Sequence, residues 1–340
     1  AGVLQNWACT WPRRGFRQYQ DIPLRLCAVA AVIFTALCVL YFPRHVDAPM
    51  SAMECAGLEE YYVKAYSKPD SSAQEEDSSR YVRIAAEAAE SFNISGRVSE
   101  FVRTWRLENA RVLDVGAGRG YLQDHVADYV GLDISPSAKR YFHKRFVHGS
   151  ATHMPLGDDE FDAAWSIWVL EHVPNPEAAL TEMRRVVKDG GLLYLYPAWN
   201  CTRWAAQGYS VRPYSDFEMA GKLTKALAPI ETRLRNSAVM PVRFVRYLSQ
   251  RFVGGPTRLR YTLLQPNYRE YYVPDSDALN SLDRYEMLLW FTSRGDECLN
   301  CTSFLNGIEQ HSEPLIIRIR KAAGRAGAAW RTPSVASARP

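Results

Sequence analysis

Three glycines, Gly116, Gly118 and Gly120, fall at every second position directly behind Arg111-Val-Leu-Asp-Val115. A short apolar run that carries an acid and breaks into glycines reads as a buried strand ending in a sharp turn. Glycine suits that turn because it has no Cβ to oppose positive φ or the close approach of a ligand. The backbone N–H groups of such a turn, beside a helix N-terminus, are expected to be bare and to face whatever lies above the strand. The spacing is G-x-G-x-G, whereas the dinucleotide fingerprint G-x-G-x-x-G needs glycine where this chain has Tyr121. Asp114, just ahead of the glycines, repels a pyrophosphate and suits a cationic or amino-bearing ligand. The chemistry implied is recognition of a nucleotide-like cofactor that carries no phosphate. A second acid, Asp133, closes the next apolar stretch nineteen residues after Asp114. A carboxylate there can accept both hydroxyls of a ribose lying across the strand ends. It can also cap a helix opened by Pro136.

Five motifs follow in order: Leu113-Asp-Val-Gly-Ala-Gly-Arg-Gly120, Gly131-Leu-Asp-Ile-Ser135, Met154-Pro-Leu-Gly-Asp-Asp-Glu-Phe-Asp162, Val169-Leu-Glu-His-Val173 and Arg184-Arg-Val-Val-Lys-Asp-Gly-Gly-Leu192. Together they resemble the class I S-adenosylmethionine-dependent methyltransferases, in particular the small-molecule and quinone-biosynthesis branch. The resemblance covers 108–196 closely and 277–320 loosely. It implies a Rossmann-like, doubly wound, mostly parallel seven-stranded sheet with S-adenosyl-L-methionine as cofactor. Asp114 would then lie by the cofactor's amino group, and Gly116, Ala117, Gly118 and Gly120 would carry the backbone past its methionine part. Asp133 would hold the ribose and Ile134 would lie against the adenine. In Gly149-Ser150-Ala151, Ser150 stands where the family commonly has an acid; its hydroxyl can still reach an adenine amino group. Ser166 would border the methyl group. The reaction implied is in-line attack on a sulfonium methyl, a step that positioning and desolvation can accelerate. A base is needed only if the nucleophile must lose a proton, and His172 beside Glu171 is the candidate. A histidine that caps a helix or packs is the plainer reading of the same residue.

From 111 onward the pattern alternates strand and helix, as a parallel α/β sheet requires. Strands are expected at 111–115, 129–133, 146–148, 161–167 and 192–196. A helix is expected after the first strand to about 127, another from 136, and a third over 177–187, with a turn at 188–191. Helices over 80–92 and 96–106 precede the sheet. The core thus runs over 81–196, and its end over 277–321, with a helix to 293 and strands at 297–299 and 315–320. Between them, 197–276 holds twelve Lys or Arg against five acids, with twelve aromatics interleaved. This stretch reads as an inserted substrate cap whose cations hold an acidic group or rest on anionic lipid.

The rest of the 340-residue chain sets the context. Leu26 to Phe42 is seventeen residues without a charge, preceded by the basic segment 1–25. It is expected to be a single-pass membrane anchor, with a cleaved leader or a buried soluble helix as the other readings. An acidic linker follows at 43–80, and a disordered tail at 322–340. The cofactor favours a cytoplasmic active domain, while the arginines ahead of the apolar run favour sending it across the membrane. A net charge of +4 does not call for nucleic acid. Seven scattered cysteines, Cys298 and Cys301 among them, read as reduced thiols without a metal site. The resulting expectation is methyl transfer to a small or membrane-associated acceptor of lipid-linked, isoprenoid or glycan type. A non-catalytic cofactor-binding membrane protein and a nicotinamide-dependent oxidoreductase are the other readings.

Overall fold

The structure, a computed structural model, describes the backbone of residues 15–48, 52–66, 72–301 and 312–321, with side chains described over 25–48, 57–66, 80–301 and 312–321. Strands β1 (Arg111–Val115), β2 (Asp128–Asp133), β3 (Arg145–His148), β4 (Phe161–Ile167) and β5 (Val187–Tyr196) pair in parallel in the order β3-β2-β1-β4-β5. A two-stranded ribbon joins β6 (Thr262–Leu263) to β7 (Asn280–Ser281). The main sheet is completed to seven strands by β8 (Glu297–Cys298) and β9 (Leu315–Arg318), with β9 antiparallel to both β5 and β8.

Successive side chains of a strand point to opposite faces, so each apolar run feeds two layers. Leu113, Val115, Val130 and Leu132 bury against Leu180 and Met183 of α5 (Pro176–Val186) and Leu288 of α7 (Arg284–Thr292). Val112, Tyr129, Trp165 and Tyr194 face the other way, onto Val98 and Phe101 of α4 (Ile94–Trp105). Each fully buried aliphatic or aromatic side chain contributes about 1.5–3 kcal/mol. The sheet order changes direction at β1, so the carboxyl ends of β1, β2 and β4 open on one crevice, the usual ligand position in such sheets.

Several expectations are corrected. No α-helix follows β1: residues 116–127 form turns and a short 3₁₀ segment, Gln123–His125. Three positive-φ glycines use up the chain there, and the Ala127 N–H already returns to Glu108 O at 2.7 Å. The segment Pro136–Tyr141 is likewise 3₁₀. Residues 188–191 lie within β5, where the pairing with β4 shifts register between Phe161 and Ala163. The acidic stretch 43–80 is not a bare linker, since it contains α2 (Ala52–Tyr66) and the start of α3 (Ser72–Ser91). The helix expected from 277 begins only at Arg284, because the Asp283 carboxylate caps it by accepting from the Tyr285 and Glu286 N–H groups. Cys298 and Cys301 are joined in a disulfide rather than reduced. The tail at 322–340 lies outside the described residues.

The insertion is dominated by α6 (Met219–Val253), which carries Pro229 and Pro241 within it. Two buried guanidiniums tie it to α7: Arg243 to Asp283 at 2.8 Å, and Arg246 to Glu286 at 2.5 and 2.9 Å. The expected anchor lies within α1 (Gly15–Tyr41), which packs Cys38 against Ala238 and Val242 of α6. Among the described residues no helix is long and apolar enough to cross a membrane. The uncharged run of seventeen residues falls short of the about 20 a hydrocarbon core requires, so the single-pass span expected at 26–42 is unsupported.

Candidate active site

The glycine turn is shaped by its neighbours. Gly116 has φ 77°, and a Cβ there would come within 2.3 Å of Val169. Gly118, at φ 52°, would meet the Tyr66 hydroxyl at 3.0 Å. The N–H groups expected to be bare are in fact engaged. Those of Gly116 and Ala117 donate to Leu132 O at 2.8 and 3.0 Å, and that of Gly120 donates to Ala117 O. Gly118 N–H donates to Asp133 Oδ2 at 2.8 Å, while Asp133 Oδ1 accepts from Ser135 N–H at 2.8 Å. The second acid therefore clamps the glycine turn to the end of β2, and burial raises its pKa. Each carboxylate oxygen has a further lone pair, so the clamp still has capacity for ligand hydroxyls.

Asp114 lies below this crevice. Strand alternation turns it toward the α4 layer, where its Oδ2 accepts from Tyr129 OH at 2.7 Å. Burial pushes its pKa up to about 6, against the lowering effect of that hydrogen bond. Ser166 is buried, its hydroxyl has no partner among the described residues, and neither it nor Asp114 lines the crevice. The Ser150 hydroxyl is turned into its own loop, on Thr152 Oγ1 at 2.9 Å. Ile134 and Ala151 do line the cavity, together with Gly116, Asp133 and His172.

Across the cavity from Asp133, His172 lies between two fully buried carboxylates. Its Nε2 is 3.7 Å from Glu171 Oε1 and its Nδ1 is 3.5 Å from Asp277 Oδ1. Burial opposes charge on the imidazole, but Asp277, Glu171 and Asp275 outweigh it and hold the pKa above the ordinary value. Burial pushes Glu171 up to about 7. Among the described residues His172 Nδ1, Glu171 Oε2 and Asp277 Oδ1, all buried, have no hydrogen-bond partner. Such atoms are costly unless something completes them. The arrangement can accept a proton from a group presented at the imidazole.

Residues that the sequence did not single out roof the site. Tyr62 and Tyr66 of α2 and Tyr81 of α3 line the cavity, and Tyr62 OH donates to Asp277 Oδ2 at 3.0 Å. α2 is held down by Ser137 Oγ, which donates to Val63 O, and by Tyr141 OH, which donates to Tyr66 O. Tyr61, Tyr62 and Tyr66 cluster inside what composition marks as linker, and that aromatic density was the available signal. Asp277 carried none, because its role depends on contact with a residue 105 positions earlier (277 − 172). The cavity measures about 100 Å³. Ligand sites for small molecules measure about 300–1,000 Å³, so a nucleoside-sized ligand needs a wider site, such as displacement of α2 would give. With that movement the residues fit S-adenosylmethionine: a crevice that a Cβ at Gly116 would obstruct, a buried acid facing it, and apolar walls from Leu132, Ile134 and Val169.

Comparison with known proteins agrees. Residues 113–195 match the family described as "Methyltransferase domain". An uncharacterized methyltransferase of Mycobacterium bovis is 41% identical over 100 residues, covering 26% of this chain and 39% of that protein. A demethylmenaquinone methyltransferase of Renibacterium salmoninarum is 40% identical over 92 residues, covering 24% and 39%. A sterol 4-C-methyltransferase of Caenorhabditis elegans is 30% identical over 104 residues, covering 26% and 31%. The chain therefore spans well under half the length of these relatives. Among solved structures, the YcgJ protein of Bacillus subtilis aligns at 26% identity over 30% of this chain and 50% of its own, with a TM-score of 0.28. The glycine turn, the acid clamp, strands β2 to β4 and most of β5 lie in the segment, residues 113–195, that matches the methyltransferase family, which supports a class I S-adenosylmethionine-dependent methyltransferase domain there.

Proposed function

We propose that this protein transfers a methyl group from S-adenosylmethionine to a small, membrane-associated acceptor of lipid-linked, isoprenoid or glycan type. The observation that carries the reading is the Asp133 clamp on the glycine turn, facing His172 across one cavity. When bound, S-adenosylmethionine supplies an electrophilic methyl on a sulfonium with a neutral leaving group. This chain's residues bind and orient around it. Asp133 faces the hydroxyl-bearing part, the Tyr62–Tyr66–Tyr81 roof excludes water, and His172 takes the nucleophile's proton, its positive charge then held by Asp277 and Glu171. The acceptor class rests on the exposed apolar side chains of α1, among them Leu26, Val29, Val32, Ile33 and Leu40. An apolar helix surface of that extent favours a membrane surface, where tethering raises encounter with membrane-resident acceptors. The relatives that act on menaquinone precursors and sterols are compatible with this class.

The test is transfer of labelled methyl from S-adenosylmethionine into extracted lipids and glycans, with Asp133→Ala as control. Labelling by the parent chain that the variant lacks supports the reading; equal labelling by both defeats it. We place the domain on the cytoplasmic side, where the cofactor is made. The Cys298–Cys301 disulfide favours an oxidising compartment instead. Glycan attachment at the acceptor triplets Asn93-Ile-Ser95, Asn200-Cys-Thr202 or Asn300-Cys-Thr302, read as an endoglycosidase-sensitive mass shift, would establish the second placement.

A further inference from the structure

Among the described residues, nothing covers the apolar face of helix α6. Met219, Leu223, Leu227, Ile230 and Leu234 are spaced four, four, three and four residues apart, and all are exposed, Met219 by 78%. Beyond Pro241 the face continues through Phe244 and Phe252, the latter 85% exposed. At about 100° per residue these positions, with exposed Met240, fall within an arc of roughly 140°, the width of a core-facing stripe turned outward. The opposite side is the one that packs, through Ala238, Val242, Arg243 and Arg246.

Charge on the helix is one-sided in sign. Met219–Val253 carries seven Lys or Arg against one acid, Glu231. Arg243 and Arg246 are bound to Asp283 and Glu286, Lys225 donates to two backbone carbonyls of the cap, and Arg235 donates to Asn200 O. That leaves Lys222, Arg233 and Arg251, which the helical geometry places along one edge of the apolar stripe. Among the described residues none of these three is in an ion pair. The other flank, at Ala238 and Val242, adjoins α1 with its own exposed apolar side chains.

We infer that the outward face of α6 docks on anionic membrane lipid, with the helix lying in the plane of the bilayer surface. Its apolar side chains enter the boundary below the headgroups, and Lys222, Arg233 and Arg251 meet lipid phosphates and carboxylates. A second copy of the chain fits less well, since a face with a single acid meets only like charge in itself. The inference deepens the membrane placement proposed above but does not depend on methyl transfer. A chain that labels lipid while α6 stays bare would sink this inference alone.

The test is hydrogen exchange of the full chain with vesicles of phosphatidylcholine, with and without phosphatidylserine. Slower exchange across 219–240 on the anionic vesicles only is the expected result. Arg233→Gln with Arg251→Gln, both at exposed positions, should partition onto those vesicles roughly thirtyfold more weakly, at about fivefold per cation. Leu223→Glu with Leu227→Glu should abolish the added protection whatever α1 does. Unchanged exchange on anionic vesicles overturns the inference. So does protection that appears without lipid as protein concentration rises, which would assign the face to a second copy.

Discussion

Asp114 illustrates how an acid that sequence sets beside a cofactor can also take a partner within the fold. Its interval from Asp133 pointed to the cofactor, but alternation along β1 sends it under the sheet onto Tyr129. Its pKa is raised to about 6, from an unfolded value near 3.9, so its contribution to stability is fully present below about pH 4 and is lost as pH rises through 6. Asp114→Asn should therefore raise the melting temperature at pH 7–8 and leave it unchanged at pH 4. A rise of that size corresponds to at most about 3 kcal/mol. A chemical-denaturation series across that range reads the difference. His172 supplies the complementary case. Its pKa is held up by Asp277, so as a base it works only above that raised value, and the acid limb of kcat/KM should lie above the ordinary histidine range. Asp277→Asn should move that limb to lower pH, whereas a purely structural role for Asp277 would lower activity at every pH alike. The limb belongs to His172 and Glu171 as a coupled pair.

At the scale of elements, the parallel strands were legible because each is a short apolar run bounded by Gly, Pro or Asp, and their bounds match within a residue for β1 to β4. The helix after β1 was not, since apolar content in 116–127 resembles a helix while three positive-φ glycines forbid one. Two elements invite tests. α6 is joined to α7 through Arg246 and Glu286, both buried, so Glu286→Ala leaves a guanidinium without its carboxylate. Loss of about 3–5 kcal/mol is expected, measured by denaturant unfolding. α2 lies across the cofactor crevice with Tyr66 over Gly118. If α2 must lift, Tyr66→Ala should speed cofactor association severalfold in stopped-flow binding. An unchanged rate would show that the crevice opens without α2.

Across the whole molecule, the order of motifs along the chain was enough for the fold class and the cofactor. Glycines at alternate positions, an acid at the end of the next strand and apolar runs of strand length are local features, set by steric freedom and by burial along a few consecutive residues. What the tertiary structure decided is everything that depends on residues brought together from afar. It paired His172 with Asp277, roofed the cavity with tyrosines from a stretch whose composition reads as linker, and used Asp47 to cap α5 through the Glu177 and Ala178 N–H groups. It also turned the apolar face of α6 outward. Periodicity shows that a helix has an apolar face, but which neighbour covers that face depends on how the elements pack around it.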